Sequence, residues 1–201
     1  MKKILYVFCI VFVCSLTCFA AGKKNKQNQN LTIDTIMTRT SVRQYSDKKV
    51  EQEKIDTILK AAMAAPSGTN KQPWEILVIT DKEKLKNVAE VAPNARYAEN
   101  SQLTIIVCGD TNISEKLWMQ DCCAVTENIL LAAHALDLGA VWCMAYPSQE
   151  RINDLQKLFN LPENVVPLSI IPVGYPSGTI TPKQKYNADK VHLNGWSRTE
   201  K

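Results

Sequence analysis

The residues best suited to chemistry are concentrated in Arg39-Thr40-Ser41-Val42-Arg43-Gln44-Tyr45. In an extended chain successive side chains point to opposite sides, so Arg39, Ser41 and Arg43 share one side. Two guanidiniums and a hydroxyl placed in this way would converge on a single anion, and a phosphate is the natural guest. The same spacing fits a solvated basic turn, and spacing alone leaves both readings open. A second polar concentration is Pro66-Ser67-Gly68 with Asn70 and Gln72. Glycine lets backbone come close to a flat group and short amides can read its polar edge, although a proline and a glycine also suffice to stop a helix. Near the other end, Lys183 and Lys185 are either a second pair of charges for an anion or exposed lysines on a polar tail. No Ser-His-Asp arrangement, HExxH pair or glycine-rich phosphate loop occurs.

The elements that must position these groups follow from periodicity. A short helix is expected over Thr32–Thr38 and a clearer one from Val50 to Ala65, with Ile55, Ile58, Leu59, Ala62 and Met63 on one face. Trp74–Thr80 and Leu103–Cys108 read as strands, with Asp81 as the cap of a helix reaching Val91. The longest helix is expected over Glu115–Leu138, stopped by Gly139, and its apolar circumference implies burial against another helix or another subunit. A strand at Ala140–Met144, a helix at Ser148–Phe159 and a strand at Val166–Val173 complete the body. Helices and strands interleave, which gives an α/β or α+β class. The polar segment after Gly174-Tyr175-Pro176 is expected to be ordered by docking.

With 201 residues, 45% of them apolar, the chain suits one core. Lys2 and Lys3, an uncharged run from Ile4 to Phe19 and small residues at Ala20–Gly22 have the layout of a secretory leader. The expected division is a leader over residues 1–20, a polar linker over 21–30 and a domain over 31–201. The expected location is exported and periplasmic; retention of the leader as an anchor, or lipidation at Cys18, stays open. Loss of the leader's two lysines takes the formal charge from +4 to +2, far from the basic stripe of a nucleic-acid binder. Cys108, Cys122, Cys123 and Cys143 sit in apolar segments without metal-site spacing and read as small buried hydrophobes.

Four segments together resemble the nitroreductase family: RTSVRQY at 39–45, APSGTNKQPW at 65–74, the run from Gln120-Asp121 through Asn128, Leu131, Ala132 and Leu138-Gly139 to Trp142, and the closing VGYP, PKQKY and VHLNGW. The resemblance implies an α+β fold, a central mostly antiparallel sheet flanked by helices, that forms an intertwined homodimer with one FMN at each of two interface sites. Carried over by position, Arg39 and Ser41, with Thr40 between them, would contact the FMN phosphate, and Arg43 would lie toward the ribityl chain and the pyrimidine edge. Pro66, Ser67, Gly68, Asn70 and Gln72 would approach the flavin from the partner subunit. Met144 and Ala145 match the place where the family aims a backbone N–H at flavin N5. Asn94 aligns with an amide that reads the pyrimidine, or is simply a turn residue. Lys183 and Lys185 match a basic pair closing on the phosphate. Lysine stands at the second position where arginine is common, which keeps the charge and loses the fork.

The implied activity is ping-pong transfer of hydride from NAD(P)H, or another reductant if the chain is exported, to a small oxidant of nitroaromatic or quinone type. No side chain need act as acid or base, since such a cofactor carries the reaction. The same fold in relatives supports dehydrogenation and dehalogenation, and binding of flavin without turnover is a further alternative. Trp118 and Tyr97 could line the substrate face or serve as core anchors; His134 and His192 read as packed residues.

Overall fold

The structure, a computed structural model, describes residues 31–196. The expected leader and linker, and residues 197–201, lie outside the described residues. The described chain opens in helix (α1, residues 31–38) and continues through α2 (Gln52–Met63), β1 (Trp74–Ile79), α3 (Lys82–Val91), β2 (Leu103–Asp110) and α4 (Trp118–Ala135). It then forms β3 (Gly139–Ala140), β4 (Cys143–Met144), α5 (Gln149–Phe159) and β5 (Val165–Gly174). Asp81 and Ser148 cap α3 and α5, each accepting the backbone N–H of the third residue of its helix.

The sheet runs β1-β2-β5-β3, with β4 also on β5, and every pairing is antiparallel. β2 is buried along nearly its whole length, which explains why its sequence is an unbroken apolar run. Its side chains alternate between two cores. Leu103, Ile105 and Val107 pack with α2 and α4, whereas Ile106 and Cys108 join the core under α3 and α5. The expected α+β sheet with helices on both faces is therefore what forms.

Two expectations are corrected. The strand expected over Ala140–Met144 is two short strands in one continuous register on β5, Gly139↔Gly174 to Met144↔Ser169. The gap falls where Val141 faces Pro172, which has no N–H to donate; Val141 donates to the Pro172 carbonyl at 3.3 Å and receives nothing back. The long helix ends at Ala135, not at Leu138, and Gly139 is not its stop. Asp137 takes the left-handed conformation, φ 62°, and the Leu138 N–H returns to Ala133 O at 2.9 Å. Gly139 is glycine for a different reason. A Cβ there would lie 2.6 Å from the Val42 side chain.

Gly109 on β2 has the same character, because its missing Cβ is the seat of the Trp118 ring, 2.3 Å from Cε3. Trp118 thereby anchors the start of α4 on the sheet, with Tyr146 edge-on at 5.3 Å. Gly109→Ala is expected to displace the indole and lower stability by about 1–3 kcal/mol, read from the urea midpoint at unchanged m.

Candidate functional site

The segment after α1 is an extra edge of the sheet. Val42 N–H donates to Ala140 O at 3.0 Å and Ser41 bridges Ala140, so the chain runs extended beside β3. Val42 and Tyr45 turn inward and are buried, and Ser41, Arg43 and Gln44 are left outside. The Tyr45 ring lies over Gly174, and its hydroxyl hydrogen is shared between Val42 O at 2.7 Å and Pro172 O at 3.0 Å. Burial raises the phenol's pKa far above its usual value, so it remains a donor.

Outside this segment lies a cavity of about 340 Å³. One wall is Thr40, Ser41, Arg43 and Gln44, and the other is the chain from Pro176 through Gly178, Thr179 and Thr181 to Lys183. The two walls are joined at their base by the Tyr45–Pro176 bridge and by Ser46 N–H donating to Tyr175 O at 2.8 Å. Cations and hydroxyls from sequence positions about 140 residues apart thus face one space. The Arg43 guanidinium also reaches the Tyr97 ring, 5.8 Å from its centroid, while Arg96 lies 4.7 Å from the same ring. Tyr97 is the aromatic of this region, and Trp118 is a core anchor.

Other expected site residues fall elsewhere. Arg39 does not line the cavity; its Nε pairs with Glu127 of α4 at 3.4 Å. Lys185 is exposed and also outside it. Pro66, Ser67, Gly68, Asn70 and Gln72 form a separate loop against the start of α4, with Gly68 N–H donating to Asp121 Oδ1 at 2.9 Å. Thr69, Asn70 and Gln72 are held at φ 52°, 58° and 50°, a conformation that costs a side-chain-bearing residue of the order of 1–2 kcal/mol. The expectation of a backbone N–H offered at Met144-Ala145 is corrected for Ala145, whose N–H donates inward to Leu168 O at 2.9 Å. Leu168 is free to receive it because the β2–β5 register slips beside it. Asn94 is no mere turn residue: its Nδ2 donates to Met144 O at 2.9 Å, and Arg151 Nη1 donates to the same carbonyl at 3.1 Å.

The sequence reading missed Gln44, Thr179 and Thr181 as cavity residues, although the run of small and hydroxyl residues before Pro182-Lys183 could have shown the two threonines. Glu127 and Arg151 carried no signal, since one acts on a residue distant in sequence and the other on a main-chain carbonyl, and Asp121 stood out only as part of the run from Gln120 to Trp142. The tail beyond Thr181 was expected to dock, yet Tyr186, Leu193 and Trp196 are 82%, 84% and 76% exposed on their own chain. His192 stacks near Trp196, with centroids 4.1 Å apart. Of the cysteines, Cys108, Cys122 and Cys143 are buried and Cys123 half-buried. Burial pushes the Cys122 thiol up to about 12 and the Cys143 thiol to about 11.

A five-stranded antiparallel sheet between two helical layers, with a cavity lined by Arg43 and Lys183 where the chain before α2 meets the chain after β5, defines an α+β protein with a basic site at one edge of its sheet. The family model of the nitroreductase family matches residues 36–117 and 99–175. A Methanothermobacter thermautotrophicus protein provisionally named NADH dehydrogenase/NAD(P)H nitroreductase is 40% identical over 87% of this chain and 91% of its own. A solved Parabacteroides distasonis structure with the same provisional name is 47% identical over 82% of this chain and 98% of its own, with a TM-score of 0.80. An FMN-dependent nitroreductase of Clostridium difficile is 29% identical over 82% of this chain and 99% of its own, with a TM-score of 0.78. The chain belongs to the nitroreductase family.

Beside Arg39, His134 closes the contact between α1 and α4. The Thr38 hydroxyl donates to Asp34 O at 2.6 Å, so its oxygen accepts from His134 Nε2–H at 2.8 Å. Burial, and then the Arg39 charge, lower the imidazole's pKa from 6.5, so the unfolded chain binds this proton more readily than the folded one. Stability from this site is present above 6.5 and is lost as pH falls from there through the lower folded value. Urea midpoints are expected to drop as pH is lowered from about 6.5, and to drop less in His134→Gln.

Proposed function

We propose that this protein is an FMN-dependent oxidoreductase that takes hydride from NAD(P)H and passes it to a small electron-poor acceptor of nitroaromatic or quinone type. The carrying observation is the cavity in which Ser41 and Arg43 face Lys183 across about 340 Å³. That donor set fits the anionic end of FMN: a hydroxyl and an amide for single oxygens, a guanidinium for a bidentate pair and an ammonium for charge. The C. difficile relative is named as FMN-dependent, and the closer relatives' names place them with NAD(P)H nitroreductases.

In this reading Ser41, Arg43 and Lys183 hold the phosphate and ribityl end, with Thr40 and Gln44 beside them. Arg39, its charge paired with Glu127, takes no direct part in the cavity. Met144, its carbonyl held by Asn94 and Arg151, forms the rigid floor beside Tyr97 and Arg43. The 66–72 loop would close the flavin site of a second copy. Bound FMN supplies, at N5, an atom that accepts hydride and gives it up again, which lets one face serve donor and acceptor in turn. The chain's own part is to bind, orient and supply positive charge near the edge where reduced flavin gathers negative charge.

A homodimer belongs to the same proposal. Ile36, half exposed, lines a cavity of about 370 Å³ with Ala61, Leu131 and Ala132, and Ile33, Met37 and Met63 are more than half exposed. The exposed tail aromatics are a second apolar surface that the described chain leaves uncovered. Export through the leader is proposed on the sequence alone; N-terminal sequencing of the mature protein is expected to begin just after Ala20.

The purified protein is expected to be yellow, to bleach with NADH or NADPH, and to regain colour with a nitroaromatic or quinone. A yellow sample that neither nicotinamide bleaches would instead support a flavin protein with another donor, or one without turnover. Arg43→Gln and Lys183→Gln are each expected to raise the FMN Kd about tenfold in a fluorescence titration, with weaker salt dependence than the parent.

A further inference from the structure

Asp121 stands in the first turn of α4 and is 6% exposed. Its Oδ1 accepts Gly68 N–H, but its Oδ2 is buried with no hydrogen-bond partner. A buried carboxylate with half its acceptor capacity unused is costly, and the favourable field at the start of α4 offsets only part of this. An asparagine would offer the same acceptor oxygen without the charge. Fold stability alone therefore gives a weak reason for an aspartate here.

What the carboxylate holds supplies a better one. The loop it touches carries three residues other than glycine at positive φ, Thr69, Asn70 and Gln72. Its other side-chain bonds are internal: Gln72 N–H donates to Ser67 Oγ at 3.0 Å, Gln72 Nε2 to Asn70 Oδ1 at 2.9 Å, and Thr69 Oγ1 to Gly68 O at 2.7 Å. Internal bonds give the loop a shape but not a place. Its place comes from Gly68, where a Cβ would lie 2.5 Å from Leu117 Cδ1, so that the backbone rests directly on the start of α4. Asp121 is four residues beyond Leu117, one turn further along the helix, and its charged oxygen makes the stronger kind of N–H···O bond. Trp118, seated on Gly109, fixes that end of α4 to the sheet.

We propose that Asp121 is a positioning residue: it locks the strained Ser67–Gln72 loop to the sheet-anchored end of α4, and so presets the loop for flavin. The proposal rests on the flavin reading above. The buried acceptor is kept because without it the strained loop would relax, and its charge strengthens the bond further.

The test uses Asp121→Ala, Asp121→Leu, which keeps the volume, and Asp121→Asn, which keeps an acceptor. Hydrogen exchange of the flavin-free protein and FMN titration are measured for each. The alanine and leucine variants are expected to exchange the Gly68–Gln72 amides about tenfold faster, with the β2 and β5 amides unchanged, and to bind FMN about tenfold more weakly. The asparagine variant is expected to recover both to within about threefold. Unchanged exchange in the alanine and leucine variants would overturn the proposal, as would an asparagine variant as impaired as they are. If the unaltered protein binds no FMN, the flavin reading fails, and the exchange measurement still decides whether Asp121 clamps the loop.

Discussion

Tyr45 is the constraint on which the site depends. Its ring covers Gly174, and its one hydroxyl hydrogen is shared between a carbonyl of its own segment and one of β5. Removing this donor would leave two buried carbonyls less well satisfied, at a cost of about 1–3 kcal/mol. Because Tyr45 and Val42 are drawn inward, Ser41 and Arg43 are turned outward. Because Tyr45 also bridges Pro176, the chain leaving β5 starts beside this segment, and Lys183 lines the same cavity as Arg43.

The chain leaving the sheet is secured a second time on its other side. The Tyr175 hydroxyl donates to Glu51 Oε2 at 2.6 Å and its ring carries Lys48 Nζ at 3.8 Å. That hydrogen bond, with smaller help from the backbone and Lys48, lowers the Glu51 pKa to about 2. Glu51 is fully exposed, so this contact orients the tail more than it stabilises the fold. Both ties lie before the tail's apolar residues, which extend away from the core with no cover from the described chain.

Around this base the polar groups form three clusters, each fastened to the sheet by a different device. The cation-lined cavity is fastened by Tyr45, the Met144 carbonyl by Asn94 and Arg151, and the strained loop by Asp121. The bulge at Leu168 and the missing N–H of Pro172 place the second cluster, since they decide where β4 starts and which way Ala145 faces. Redox chemistry that relies on a bound cofactor asks little of side chains beyond such rigidity and a suitable charge distribution. Inert, buried thiols at Cys108 and Cys122 are consistent with a protein whose own side chains are not the redox groups.

Much of this was legible in the sequence, and the physical reason is locality. The outward side shared by Ser41 and Arg43, the unbroken apolar run of β2 and the cap at Asp81 are decided by neighbours within a few residues, whereas strict alternation fails at Gln44 and Tyr45, where burial of the Tyr45 ring over Gly174 leaves Gln44 outside with Arg43. The motif order along the chain was enough to indicate the family and the α+β sheet, and it singled out Ser41, Arg43 and Lys183, which line one cavity. Tertiary structure decided what depends on pairs far apart. It drew Arg39 aside to Glu127, set Gly139 against Val42 instead of at a helix end, split a strand opposite Pro172, turned the Ala145 N–H toward Leu168 and gave the 66–72 loop its anchor on Asp121. Each of these is a contact whose partner is chosen by packing, and no residue type or spacing near either member announces it.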